Sequence, residues 1–142
     1  MKKSYIPAGV RRFVYQRAQG CCEYCLISEN FVLVPHEVDH VIAQKHGGQT
    51  NADNLALSCT LCNRYKGSDL ASLDPKTGQI IPLFNPRRDH WSDNFEVVQG
   101  KIIAKTVIGR VTIRLLQVNR PEQILERQIL QAAGLLNFSK NK

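Results

Sequence analysis

The sequence predicts an α+β domain stapled by a metal, and three observations carry that expectation. Four of its five cysteines form two C-x2-C knuckles, Cys22-Glu23-Tyr24-Cys25 and Cys59-Thr60-Leu61-Cys62. Short β-prone runs lie near the knuckles, and helical patterning flanks them on both sides. A length of 142 residues with 43% hydrophobic and 22% charged composition suits one domain with its own core. That composition excludes a disordered tail. No apolar run approaches the ~18 residues of a membrane span, and Met1-Lys2-Lys3-Ser4-Tyr5 leads into no signal-peptide core. The expectation is a soluble cytoplasmic protein with no membrane partner. It is one domain over 1–142, with a core at about 20–68 and an extension at about 80–142.

Thiols of a chain without export signals stay reduced, so four thiolates forming one tetrahedral Zn²⁺ site outrank two disulfides. The expected zinc ligands are Cys22, Cys25, Cys59 and Cys62. The 33 residues between the knuckles exceed the usual ribbon spacing. Cys21 could replace Cys22 through C-x3-C spacing; Cys22 makes the two knuckles alike and leaves Cys21 a bystander.

The elements follow in order. Residues 7–19 read as a helix, with Pro7 in the first turn, Val10, Phe13, Val14 and Ala18 near helical spacing, and Gly20 as the stop. Phe31-Val32-Leu33-Val34 is a β-prone run limited by Pro35, and Glu37-Val38-Asp39-His40-Val41-Ile42 is a second strand candidate. Residues 45–54 are turn formers and read as a loop, and Leu55-Ala56-Leu57 leads into the second knuckle. Asn63 to Leu73 reads as helical despite Gly67, and Asn85-Pro86-Arg87-Arg88-Asp89 as a loop. Gln99-Gly100 between Phe95-Glu96-Val97-Val98 and Lys101-Ile102-Ile103-Ala104 signals a hairpin. Residues 106–118 read as a helix capped by Thr106, with a stripe of Val107, Val111, Leu115 and Val118. Pro121 opens a last helix, with Ile124, Leu125, Ile129 and Ala132 as its apolar face.

The net charge is +7, and residues 61–142 carry +6 of it. A basic half suggests a polyanion partner, with nucleic acid leading, although solubility charge is the ordinary alternative.

Taken together, Cys22-x2-Cys25, Val38-Asp39-His40, Gly47-Gly48, Asn54-Leu55 and Cys59-x2-Cys62-Asn63-x2-Lys66-Gly67 resemble the HNH endonuclease family (ββα-metal, or His-Me finger). The likeness is to the four-cysteine zinc branch, similar to McrA-type restriction nucleases. It spans about residues 20–68. A softer resemblance, to an extension found on some bacterial HNH proteins, covers Pro82-Leu83-Phe84-Asn85-Pro86-Arg87 with Trp91, Phe95 and Gly109-Arg110.

The resemblance implies a ββα core and metal-dependent hydrolysis of DNA phosphodiesters; RNA is left open beside DNA. His40 would be the general base for water, since its ordinary pKa of ~6.5 lets it accept a proton near neutrality. Asp39 and Asn63 would hold the catalytic cation, and Asn54 would tie the loop backbone so that His40 keeps its orientation. Strand neighbours point to opposite faces, so Asp39 and His40 must sit where their strand ends. The family geometry implies 5′-phosphate and 3′-hydroxyl ends. Many members carry His where Asn63 stands; an amide oxygen suits Mg²⁺ or Mn²⁺ better than Zn²⁺ or Ni²⁺. Asn94 also stands where the extension favours His, with His90 nearby.

The alternative is a zinc-stapled nucleic-acid-binding module with weak or no cleavage. Arg64, Lys66, Arg87 and Arg88 are candidate phosphate contacts, with a solvated face as the ordinary reading. His36 reads as a strand-face residue and His46 as loop surface, while Trp91 and Phe95 read as core. A homodimer would serve a small nuclease that cuts both strands.

Overall fold

A computed structural model describes residues 5–136; the last stretch of the expected extension, 137–142, lies outside the described residues. The order is α1 (Ala8–Ala18), β1 (Glu37–His40), β2 (Leu55–Ser58), α2 (Thr60–Lys66), β3 (Ala71–Leu73), β4 (Ile80–Pro82), α3 (Trp91–Asn94), β5 (Phe95–Val98), β6 (Lys101–Ala104), α4 (Val107–Leu116) and α5 (Pro121–Ala132). The strands form three antiparallel two-stranded ribbons, β1–β2, β3–β4 and β5–β6. The α+β class holds, and β1, β2 and α2 form the expected ββα unit. Among the described residues no helix is long and apolar enough to cross a membrane.

Two apolar clusters hold these layers. In the smaller one, Val14 and Ala18 of α1 bury against Leu55 and Leu57 of β2, with Ile6 closing one end. Phe13 falls outside it at 51% exposure, under the Arg17 guanidinium. The larger cluster joins the knuckle residues Tyr24, Leu26 and Ile27 to Phe84, Trp91, Phe95 and Ile102 of the extension. Phe84 meets Phe95 edge-on at 5.2 Å between ring centroids, the geometry that aligns a positive ring edge with a negative face. The indole N–H of Trp91 donates to the Tyr24 carbonyl at 3.0 Å. Trp91 and Phe95 are therefore core, and they fix the extension to the first knuckle.

Several expectations are corrected. Phe31-Val32-Leu33-Val34 forms no strand: Glu29–Phe31 is a 3-10 turn, and Leu33 is fully exposed. Pro35 and the absence of a pairing partner override the β propensity. The helix expected over 63–73 stops at Lys66, where Gly67 takes φ +51°, ψ −129°, a conformation that side chains resist. Residues 71–73 then pair with β4, which the sequence pattern did not reveal. α4 is capped by Thr106 as expected, its hydroxyl accepting from Gly109 N–H. Its inward face, however, is Gly109, Val111, Thr112 and Leu116, and Val107 and Leu115 are only half-buried. Gly109 must face inward because a Cβ there would lie 2.3 Å from the Asn94 carbonyl. Thr112 faces inward because its hydroxyl accepts from Phe84 N–H. α5 is rotated further: Leu125 and Ile129 are exposed, and Gln123, Arg127 and Leu130 are buried.

Candidate active site and metal centre

The two knuckles converge. The sulfurs of Cys22, Cys25, Cys59 and Cys62 lie within 4.8 Å of one another, all four residues buried. Cys25 Sγ and Cys59 Sγ are 3.7 Å apart. Zn–S bonds of ~2.3 Å in a tetrahedron require sulfurs about 3.8 Å apart, so the cluster is close to the size that Zn²⁺ needs. Each knuckle is shaped by its own backbone: Cys25 N–H points to Cys22 Sγ and Cys62 N–H to Cys59 Sγ, each at 3.4 Å. Cys59 also caps α2. The four thiols act on one another: hydrogen bonds from Cys22, Cys25 and Cys62 hold the Cys59 thiol far below its usual range, and the same contacts with burial push Cys25 and Cys62 well above it, the mutual tension of four thiols packed together. Cys21 stays outside, half-exposed, with its sulfur 3.7 Å from the Gln19 carbonyl.

Beside this centre, β1 and β2 pair with Asp39 opposite Ala56 and His40 opposite Leu55. His40 is the last residue of β1, the position the Asp39-His40 pair requires. Tyr24, Asp39, His40, Ala56, Ser58, Asn63 and Lys66 line one small hollow of about 10 Å³, room for one water-sized sphere. Asp39 and His40 reach it from the ribbon, and Asn63 reaches it from α2. Asp39 Oδ1 is 3.9 Å from His40 Nδ1. The other ring nitrogen, Nε2, is 2.8 Å from the Thr50 hydroxyl.

The loop between the strands is built around Asn54. Its Oδ1 accepts from Ile42 N–H at 3.0 Å, and its amide donates to the carbonyls of Ile42 at 2.9 Å and Gln49 at 2.8 Å. The return leg passes so close that a Cβ on Gly48 would lie 1.7 Å from the Ile42 carbonyl oxygen. Only glycine allows that approach, and it brings Thr50 back onto His40.

The candidate phosphate contacts divide. Arg64 and Arg88 are exposed. Lys66 is buried, and its ammonium donates to the Val41 carbonyl at 2.8 Å; desolvation lowers its pKa. It lines the hollow but presents no open cationic face. Arg87 is paired with buried Glu23 and also donates to the Leu55 carbonyl. Burial raises the Glu23 pKa despite that pairing. Glu23 accepts from Leu57 N–H as well, so the pair knits the first knuckle to β2. Arg87 is a brace for the site rather than a free phosphate contact, because leaving Glu23 unpaired in the interior would be costly.

Other residues sort themselves by their partners. His36 precedes β1, buried, with Nε2 on the Ile27 carbonyl and its backbone N–H on Glu29. His46 is exposed in the loop, and His90 is exposed ahead of α3. Asn94 lies between the His90 carbonyl and the Thr106 hydroxyl, a structural post. Sequence reasoning missed Thr50, Glu23 and Arg127. Arg127 has no exposed surface and donates to the carbonyls of Gly100, Val118 and Cys25. The lone signal for it was a cation falling on what proves to be the inward side of α5.

Residues 22–69 match the family model described as HNH endonuclease. The chain matches no curated protein and no solved structure. The matched segment begins at the first knuckle cysteine and runs through both knuckles, the ribbon, the loop and α2, and the four-cysteine cluster inside it fits the zinc staple of that family.

Proposed function

From residues 22–69 as an HNH-family segment, we propose that this protein is a metal-dependent endonuclease that hydrolyses DNA phosphodiester bonds. The observation that supports it most is the convergence of Asp39, His40 and Asn63 on one hollow. His40 presents Nδ1 on the Asp39 side and accepts the proton of the attacking water. Asp39 and Asn63 offer one carboxylate and one amide oxygen, a hard-oxygen set that fits Mg²⁺ or Mn²⁺. A divalent cation bound there would polarise the phosphate and neutralise charge on the leaving oxygen. Asn54 and Gly48 hold the loop so that the imidazole does not swing. The four-cysteine zinc keeps β2 and α2 in register with the first knuckle and takes no part in the reaction. The basic C-terminal half, with Arg64 and Arg88 exposed near the site, favours a polyanion.

Plasmid nicking separates this reading from a non-cleaving binding module, the alternative that Asn63 in place of histidine supports. The endonuclease reading expects nicks with Mg²⁺ or Mn²⁺ and none in EDTA, with 5′-phosphate ends that accept ligation. Retained DNA binding with no cleavage in any divalent metal would select the binding module. An equivalent panel of single-stranded DNA and RNA reads the substrate class.

A further inference from the structure

The geometry points to a base-binding cleft beside the catalytic hollow, entered by an unpaired nucleobase that flanks the scissile phosphate. The inference deepens the proposed function and rests on it: the substrate is a strand with a base out of the stack. The cleft encloses about 520 Å³ between the exit of β1, the turn after α2 and the extension. That size lies within the ~300–1,000 Å³ of small-ligand sites. Its apolar walls are Val41, Ile42, Leu70, Leu83 and Ile108. Two residues join it to the hollow. Val41 directly follows His40, and Lys66 lines both spaces. The Lys66 ammonium donates to the Val41 carbonyl at 2.8 Å, which holds the shared wall in place.

The charges of the lining select the occupant. Lys66 and Arg88 are cationic, Asp69 and Asp89 anionic, so they balance. A strongly charged guest gains little from such a lining. A nucleobase is neutral, with flat apolar faces that suit the aliphatic walls and edge atoms that suit the Asp69 carboxylate and the exposed Arg88. In a duplex those faces are stacked and that edge is paired, so the base must leave the helix or come from a single strand. The other large cleft, about 420 Å³ between the Phe31–Val34 segment and α5, has Glu122 and Glu126 as its charged lining residues and repels a polyanion.

The test uses the zinc-loaded full chain with no added divalent metal, so that binding is read without cleavage. The probes are a single-stranded DNA of mixed sequence and an abasic strand of the same length, which keeps the phosphates and lacks the bases. Wild type should bind the base-bearing strand ~10-fold or more tightly than the abasic one. Nuclear Overhauser contacts should run from base protons to the methyl groups of Val41, Ile42 and Leu70. Leu70→Ser removes a wall at an exposed position, and Ala71→Leu narrows the cleft from β3. Both, checked by melting curves, should lose most of the tenfold difference and bind the abasic strand as wild type does. In Mn²⁺ both should lose about as much in kcat/KM on the base-bearing strand. Equal binding of the two strands by wild type overturns the proposal, as do base contacts confined to other methyl groups, or variants that keep the full difference. Cleavage without base contacts in the cleft leaves the endonuclease reading standing and the cleft refuted. Base contacts in the cleft with no cleavage in any divalent metal refute the endonuclease reading and keep the cleft as a nucleic-acid site.

Discussion

At the scale of single residues, the loop around His40 is held by side chains whose removal has separable consequences. Asn54→Ala strips partners from the Ile42 N–H and from the Ile42 and Gln49 carbonyls. It should cost about 1–3 kcal/mol, read as a lowered melting midpoint, because part-buried backbone groups lose their bonds. Asn54 was readable beforehand because the family resemblance gives it that loop-tying role. Thr50 was not: a threonine in a turn-rich loop is ordinary, and only the fold shows its hydroxyl on a ring ten residues away. A second residue-scale prediction concerns Asp74, buried under a two-point bond from Arg110. Arg110, helped by the Thr77 hydroxyl, holds this carboxyl well below the usual range. A depressed carboxyl pKa contributes stability above its unfolded value of ~3.9, and the contribution fades only as pH falls through the lower folded value. The melting difference between wild type and Asp74→Asn should therefore be flat from pH 8 to about 5 and shrink below about 4. A difference that vanishes already at pH 6 would contradict it.

At the scale of elements, α5 shows where pattern reading fails. Its apolar residues Leu125 and Ile129 mark the outer face, and the interior is entered by Arg127. Averaging hydrophobicity around a helix assumes that the core is oil. Here the surface α5 covers is lined by backbone carbonyls of Gly100, Val118 and Cys25, which need donors, and one guanidinium supplies several in a fixed fork. Burial lowers the Arg127 pKa, and the nearby Cys25, Cys62 and Cys22 side chains pull it back up, so the four-cysteine cluster offsets part of the cost of the buried cation. Arg127→Met should cost at least about 3 kcal/mol, a fall in midpoint on the order of 10 °C, and should speed zinc release to a chromophoric chelator. A melting curve and release rate equal to wild type would show that α5 is held by its apolar contacts alone. The β5–β6 hairpin was readable by contrast, because a Gln99-Gly100 turn with φ +50° and +80° is a purely local device.

Across the whole molecule, the four-cysteine cluster is what joins parts that are distant in sequence. Each knuckle fixes a backbone turn, and the larger apolar core grows outward from them to Trp91, Phe95 and α5. Metal binding is then part of folding. The protein should hold one Zn²⁺ per chain, and Cys59→Ser should abolish the cooperative melt. A metal-free protein with a native melt would contradict this. The knuckle pair was readable from spacing alone because tetrahedral thiolate chemistry leaves few alternatives. The braces Glu23–Arg87 and Arg127 were not, since a buried ion is recognised by what surrounds it. The +7 charge makes a further whole-molecule prediction: DNA affinity should fall steeply between ~50 and ~200 mM salt, as released counterions require. An affinity insensitive to salt would count against a polyanion partner.

The most direct test of the account is the single-turnover cleavage rate of zinc-loaded His40→Ala against wild type in saturating Mn²⁺. The account predicts a folded protein that binds DNA as wild type does and cleaves ~10²–10⁴-fold more slowly, the contribution of a positioned general base. Cleavage by His40→Ala at the wild-type rate would contradict it.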